Sequence, residues 1–151
     1  MREILFRGKR IDNGELVEGA FLNDRDGAFY ICPVVSDITY GDHGNRRRIG
    51  CWYKVDPATV GQFTGLTDKN GKRIFEGDVV AQNWYDHDEP SDDSFGEVVF
   101  CEYDCSFSVM DVEKDGIVPF GRCGAYHWEA EVIGNIHDNP ELLKGGDAGC
   151  P

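Results

Sequence analysis

The sequence has no apolar run approaching the roughly 20 residues that cross a membrane. Its first eight residues also lack the continuous apolar segment of a secretory signal. We therefore expect a cytoplasmic protein whose six cysteines stay reduced. No window carries a sustained 3.6-residue apolar period, which argues against an α-rich fold. The P-loop, the strand-linked G-x-G-x-x-G loop and the G-x-S-x-G elbow are missing as well, so no conventional enzyme class is indicated.

Positive charge is scarce in the second half of the chain. Residues 81–151 carry three Lys/Arg against sixteen Asp/Glu, whereas residues 1–80 hold twelve of each, so the whole net charge of −13 lies in the second half. Such a field repels nucleic acid and anionic membranes and attracts cationic partners. A solvated acidic surface is the simpler interpretation, and a binding surface is the alternative.

Glycine, by contrast, is abundant, at 19 of 151 residues and without a Gly-X-Y period. Asn-Gly and Asp-Gly dipeptides favour type I′ hairpin turns, and four occur between runs of β-branched and aromatic residues: Asn13-Gly14, Asp26-Gly27, Asn70-Gly71 and Asp115-Gly116. We predict strands over residues 4–10, 16–22, 28–35, 49–55, 63–67, 73–75, 78–85, 96–101, 106–112 and 128–136. The acidic residues 86–94 are predicted to form a loop.

This pattern predicts a mainly β protein. Residues 1–55 are expected to form an N-terminal β-meander and residues 56–144 an SH3-like small barrel, with a flexible tail at 145–151. Between the two regions, Asp56 is a candidate N-cap and Pro57 the first residue of one short helical turn.

Four segments of the chain resemble the YopX family. They are residues 6–9 (FRGK), residues 55–66 (VDPATVGQFTGL) followed by 68–80 (DKNGKRIFEGDVV), residues 131–136 (EVIGNI) and residues 139–143 (NPELL). The resemblance spans almost the whole chain and implies a bacteriophage or prophage setting and an SH3-type barrel. It supplies no catalytic residues. The sequence departs from the family pattern in its acidic 86–94 segment and its six cysteines.

The residues of these motifs are typical of structural roles. Glycines relieve the backbone at turns, and aspartates accept hydrogen bonds from backbone amides there. Two polar residues in an apolar stretch, Gln62 and Thr64, are either buried anchors or side chains that face a groove. The full structural set is Gly61, Gln62, Thr64, Gly65, Gly77, Asp78, Gly134 and Asn135.

The acidic segment is the first candidate binding site. Its carboxylates have the oxygen chemistry that divalent cations prefer, but an EF-hand register that starts at Asp86 puts Ser91 where glycine is required. The same carboxylates can mimic a row of phosphates and bind a basic protein. The candidate partner-binding residues of this segment are Asp86, Asp88, Glu89, Asp92 and Asp93.

The second candidate is the basic cluster Arg46, Arg47 and Arg48, which can contact phosphates. The alternative is that it pairs with the acidic half of the same chain or of another copy, which predicts a salt-dependent homo-oligomer. Cys101 and Cys105 form one C-x3-C pair, but the second pair typical of zinc sites is missing, so no metal or other cofactor is predicted.

We therefore expect a phage or prophage accessory protein that is not an enzyme and acts by macromolecular interaction. Two alternatives remain open. One is a nucleic-acid-binding barrel that uses Arg46–Arg48, and the other is a metal-dependent enzyme that uses residues 86–93.

Overall fold

The structure is a computed structural model, and it describes residues 3–33, 51–86, 89–120 and 127–144. The chain divides into two compact units, residues 1–63 and residues 64–151. The described residues form antiparallel sheets and two single-turn 3-10 helices, so the mainly β prediction is confirmed. The finer SH3-like description stays a prediction. No helix in the described part of the chain is long and apolar enough to cross a membrane.

The first unit contains a four-stranded meander extended by a fifth strand. The strands are β1 (Phe6–Lys9), β2 (Leu16–Asn23), β3 (Phe29–Cys32), β4 (Tyr53–Val55) and β5 (Gly61–Thr67), in the spatial order β4-β3-β2-β1-β5. The division between the units lies inside β5. A 3-10 helix at Pro57–Thr59 precedes β5, and the Asp56 side chain accepts a hydrogen bond from the Ala58 N–H, as the predicted N-cap requires.

Alternation along these strands directs one set of side chains into a common core. Val17, Ile31 and Val55 are buried in it, and Phe6, Phe21 and other partly buried side chains pack against them. The Phe6 and Phe21 rings lie 5.1 Å apart, and Phe29 meets Phe21 edge to face at 5.0 Å. The aromatic character of these strands therefore supplies the apolar area that a unit of this size needs.

The second unit contains a hairpin and a five-stranded sheet. The C-terminal part of β5 pairs with β6 (Arg73–Phe75). The five-stranded sheet has the order β10-β9-β8-β7-β11. Its strands are β7 (Asp78–Asp86), β8 (Glu89–Cys101), β9 (Ser106–Asp111), β10 (Gly116–Pro119) and β11 (His127–Asn135). The second 3-10 helix follows at Pro140–Leu143.

The core of this unit lies on one face of the five-stranded sheet. Val80, Val98, Val109 and Ala130 come from four different strands and are buried together with Ile74. The pairs Val80–Val132 and Val98–Val109 lie directly opposite each other across neighbouring strands. Because cross-strand partners share a face, the register fixes this cluster.

The prediction of a loop over residues 86–94 is wrong, because β7 and β8 continue as a paired ladder to Asp86 and Glu89. Trp84 pairs with Asp92 and Tyr85 with Pro90, so a bulge absorbs one extra residue of β8 beside the proline. A ladder of backbone hydrogen bonds needs no apolar side chains, and the buried Trp84 anchors this part of it. Composition alone therefore misassigned the segment.

The four predicted hairpin turns lie where expected, but none of them is of type I′. That turn needs two central residues with positive φ, whereas Gly14, Gly27 and Gly71 have φ of 73°, 82° and 81° beside residues with negative φ. At the fourth turn the left-handed residue is Asp115, with φ 47°. The loops are longer than two residues, since Asp24 N–H bonds to the Ala28 carbonyl and Asp68 N–H to that of Lys72. One left-handed residue then closes each turn.

Candidate interaction surface

The second unit carries all of the excess charge. Residues 64–151 hold six Lys/Arg against nineteen Asp/Glu, a balance of −13, whereas residues 1–63 hold nine of each. The acidic surface predicted from the sequence therefore belongs to a single folded unit.

The antiparallel order sorts the turns of this unit to two ends of its sheet. The paired ends of β7 and β8 at Asp86 and Glu89 and the β9–β10 turn lie at one end, and the β8–β9 turn at Glu102–Cys105 lies at the other. At the first end, the Lys114 ammonium donates to Asp92 Oδ1 at 2.7 Å and to the Asp93 carbonyl oxygen. This bond to Asp92 is the main reason why the pKa of Lys114 is raised. One lysine therefore ties the β9–β10 turn to strand β8.

The predicted partner-binding residues are placed unevenly. Asp92 is half-buried and engaged by Lys114, whereas Asp93 is exposed. Asp86 and Glu89 pair at the ends of β7 and β8, and the structure describes only their backbone. Asp88 and the basic residues Arg46, Arg47 and Arg48 lie outside the described residues. Asp92 and Asp93 are consecutive residues of β8, so their side chains point to opposite faces of the strand, and the structure does not relate them to the arginine cluster.

Asp111 is a buried hydrogen-bond acceptor at the same end of the sheet. Its side chain is buried and accepts hydrogen bonds from the backbone N–H groups of Glu113 and Lys114 at 2.9 and 2.6 Å, and from Phe95 at 3.3 Å. Burial opposes ionisation, but these donors and the Ser94 hydroxyl outweigh it, so the pKa of Asp111 lies below its ordinary value. The carboxylate therefore caps the β9–β10 turn.

A buried polar chain continues from this cap. Gln82 is fully buried; its amide donates to Ser94 Oγ at 3.3 Å, and its carbonyl accepts from Trp128 Nε1 at 3.0 Å. Buried polar groups are costly unless they are paired, and both ends of this amide are paired. These hydrogen bonds link β11, β7 and β8, and the Ser94 hydroxyl extends them to Asp111.

Asp68 has a comparable role at the β5–β6 turn. Its Oδ1 accepts from the backbone N–H groups of Asn70 and Lys72 at 2.8 and 2.9 Å, and its Oδ2 accepts from Val132 N–H on β11 at 3.2 Å. Lys69 N–H also donates to the Ala130 carbonyl. The backbone donors outweigh the opposing effect of burial and hold the pKa of Asp68 below its ordinary value. The turn is thereby fastened to the outer edge of β11.

Beside this turn, Lys69, Asn83, Glu129 and Glu131 border a shallow depression. The Lys69 ammonium lies 2.5 Å from Glu131 Oε2, and this contact is the main reason why its pKa is raised. The ion pair with Glu131 therefore keeps Lys69 protonated at this edge of the sheet.

The family-motif residues lie in β5, at the Gly77 turn and at the end of β11. Thr64 is buried and donates to the Ile74 carbonyl at 2.9 Å, and Asp78 is buried and accepts from Phe75 N–H at 2.8 Å. Asn135 Oδ1 accepts from the His137 and Asp138 N–H groups. Gly61 and Gln62 pair with β1; Gly65 and Gly77 have positive φ; Gly134 lies at a bulge in β11.

The described cysteines are thiols rather than disulfides. Cys32 and Cys101 are buried, and Cys51 and Cys105 are exposed. Burial is the main reason why the pKa of the Cys32 thiol is raised, so this thiol is held in its protonated, unreactive form. Among the residues that the structure places, no group of three or more His, Cys, Asp or Glu side chains is arranged to hold a metal ion.

Sequence reasoning missed two features of this unit. Lys114 was counted as a charge, but its pairing with Asp92 depends on the turn geometry and has no sequence signature. Tyr103, at the tip of the β8–β9 turn, is 98% exposed. Its signal was available, because an aromatic residue between Glu102 and Asp104 in a turn is unusual among residues that favour turns.

Fold and surface together define a two-unit antiparallel β protein with a neutral first unit and an acidic second one. The YopX protein family matches residues 7–144, and the chain belongs to this family. It is also similar to the crystal structure of protein EF1440 from Enterococcus faecalis, with 25% sequence identity and a TM-score of 0.56. The match covers 95% of this chain and 99% of that one. No curated protein matches the sequence significantly.

Proposed function

We propose that this protein is a phage or prophage accessory protein that binds a basic macromolecular partner, most simply a protein, through the surface of its acidic unit. The observation that carries the proposal is the division of charge, with −13 in residues 64–151 and none in excess in residues 1–63. A field of one sign on one unit steers association with cationic partners and orients them.

Three of the carboxylates with perturbed pKa values have structural roles. Catalytic acids and bases have shifted pKa values matched to a reaction. In this protein, by contrast, Asp24, Asp68 and Asp111 have lowered pKa values because they accept hydrogen bonds from backbone amides at turns. Their charge is used to hold hairpins in place. The proposal therefore assigns no catalytic step to these three carboxylates.

Fluorescence anisotropy with a labelled octa-arginine peptide tests the proposal, with an octa-glutamate peptide and a DNA duplex as the other probes. We expect the protein to bind octa-arginine at low salt, to release it as salt rises, and to leave the acidic peptide and the duplex unbound. A salt-dependent affinity is the signature of surface charge, because screening shortens the Debye length to about 8 Å at 0.15 M.

Two results would count against the proposal. Failure to bind octa-arginine at low ionic strength would remove the acidic surface as a binding site. Tighter binding of the duplex than of the peptide would instead favour the nucleic-acid alternative, in which Arg46, Arg47 and Arg48 contact phosphates.

A further inference from the structure

The β8–β9 turn differs from the other turns of the acidic unit in its chemistry. It places Tyr103 between Glu102 and Asp104, all three exposed, at the end of the sheet opposite the β9–β10 turn. Turn tips usually carry small or polar residues. A 98% exposed tyrosine there has little to contribute to the fold, and it presents a ring face together with two carboxylates.

Two further aromatic residues lie next to the turn. Phe100 on β8 pairs directly with Phe107 on β9, and their rings meet edge to face at 5.3 Å. Phe100 is 45% exposed although it lies on the same face as the buried Val98 and Val109. The core face therefore ends in an aromatic pair next to the turn that carries Tyr103, and we call Phe100, Tyr103 and Phe107 the aromatic end of the sheet.

The turn is held in one conformation by its own contacts. Cys105 adopts a left-handed conformation with φ 54°, its thiol lies 3.6 Å from the Glu102 carbonyl oxygen, and Ser106 Oγ donates to Asp104 Oδ1 at 3.0 Å. The Cys101 thiol also bonds to Asp104, and these bonds hold the pKa of that carboxyl below its ordinary value. An ordered site loses less conformational entropy on binding than a mobile one.

We propose that the aromatic end is the docking point for an arginine-bearing segment of the basic partner, with a guanidinium stacked on Tyr103 and paired with Glu102 or Asp104. This inference rests on the proposed function and specifies where the partner docks. Charge complementarity favours this occupant, because the unit carries −13. Arginine fits better than lysine, since its planar guanidinium stacks on an aromatic face and pairs with a carboxylate.

Four variants separate the aromatic from the charge contribution. Tyr103→Ser removes the ring and Tyr103→Phe retains it. E102Q/D104N removes two charges at the aromatic end, and E113Q/D115N removes two at the β9–β10 turn, so both double variants have the same net charge. Asn is suited to position 115, because it tolerates the φ of 47° found there. Circular dichroism checks that each variant is folded.

The measurement is the dissociation constant for labelled octa-arginine and octa-lysine. We expect Tyr103→Ser to weaken octa-arginine binding roughly fivefold and to reduce the preference for arginine over lysine, while Tyr103→Phe stays close to the parent protein. E102Q/D104N should weaken binding more than E113Q/D115N.

The outcomes distinguish the two proposals. If octa-arginine binds but Tyr103→Ser has no effect and the two double variants behave alike, the aromatic end is not the docking point, and the broader proposal of an acidic binding surface stands. If octa-arginine does not bind the parent protein at all, both proposals fail.

Discussion

The Lys114 ammonium on the β9–β10 turn lies 2.7 Å from Asp92 Oδ1 on β8, and it also bonds to the Asp93 carbonyl oxygen. One of the three basic residues in the second half of the chain is thus used to neutralise part of the acidic β7–β8 hairpin. The hairpin extends as a ladder although its sequence is strongly acidic, and this contact is one physical reason for it.

Lys114→Met is expected to loosen this end of the sheet. Both side chains are partly exposed, so the loss in the free energy of unfolding should be about 0.5–1 kcal/mol. Urea denaturation at low salt measures it, and the difference from the parent protein should shrink at high salt because screening weakens the pair. A loss that is unchanged by salt would show that packing, and not the ion pair, accounts for the effect.

Asp68→Ala is expected to be more damaging. It removes the acceptor for three backbone N–H groups, including that of Val132 on the edge of β11, and the free energy of unfolding should fall by about 2–3 kcal/mol. The matched control is Lys69→Met, which removes only the exposed ion pair with Glu131 and should cost less than about 1 kcal/mol. Equal losses for the two variants would contradict the assignment of Asp68 as the fastening of this turn.

Acid should destabilise the protein through the same groups. Asp68 and Asp111 have pKa values below the ordinary 3.8 in the folded state. They therefore stabilise the fold at any pH above the pKa of the unfolded chain, and this stabilisation is lost as the pH falls through their pKa values in the folded state. The free energy of unfolding, measured by urea denaturation between pH 6 and pH 3 (roughly the carboxyl range), should fall towards the acidic end. D68N/D111N should flatten this dependence, and an equally steep profile in that variant would place the titrating groups elsewhere.

Gly96→Ala tests the close approach of β8 to β9. A Cβ built on Gly96 would overlap the Met110 carbonyl oxygen, which is backbone and cannot rotate away. We expect the free energy of unfolding to fall by about 3 kcal/mol or more, or the variant not to fold at all. Gly116→Ala is the control, because its nearest neighbour to an added Cβ is the Lys114 carbonyl oxygen at 3.6 Å. Thermal unfolding of the two variants should differ clearly, and similar midpoints would contradict the register of β8 and β9.

Most of the strands, the hairpin positions and the family were predictable because they depend on local signals, whereas the short strand β10 (Gly116–Pro119) was not predicted. Phe29–Cys32, for example, is a run of β-forming residues after an Asp-Gly turn, and its Ile31 enters the core of the first unit. The motif around Gly77 and Asp78 likewise identified a tight turn whose aspartate accepts a backbone hydrogen bond.

The features that were missed depend on contacts distant in sequence. Nothing near Asp68 in the chain indicates that Val132 donates to it, and the tie between Lys114 and Asp92 spans 22 residues. The acidic β7–β8 ladder was misassigned for the same reason, since its pairing depends on the backbone, on the buried Trp84 and on the distant Lys114. Charge counting located the acidic unit but did not distinguish the turns at its two ends.

The most direct test of the account is a titration of the isotope-labelled protein with octa-arginine, followed by the shifts of its backbone amide resonances. We expect saturable, salt-sensitive shifts confined to residues 64–151, with the largest at Glu102–Cys105. Shifts concentrated in residues 3–33 or 51–63, or no saturable shifts at low salt, would contradict the claim that the acidic unit is the binding surface.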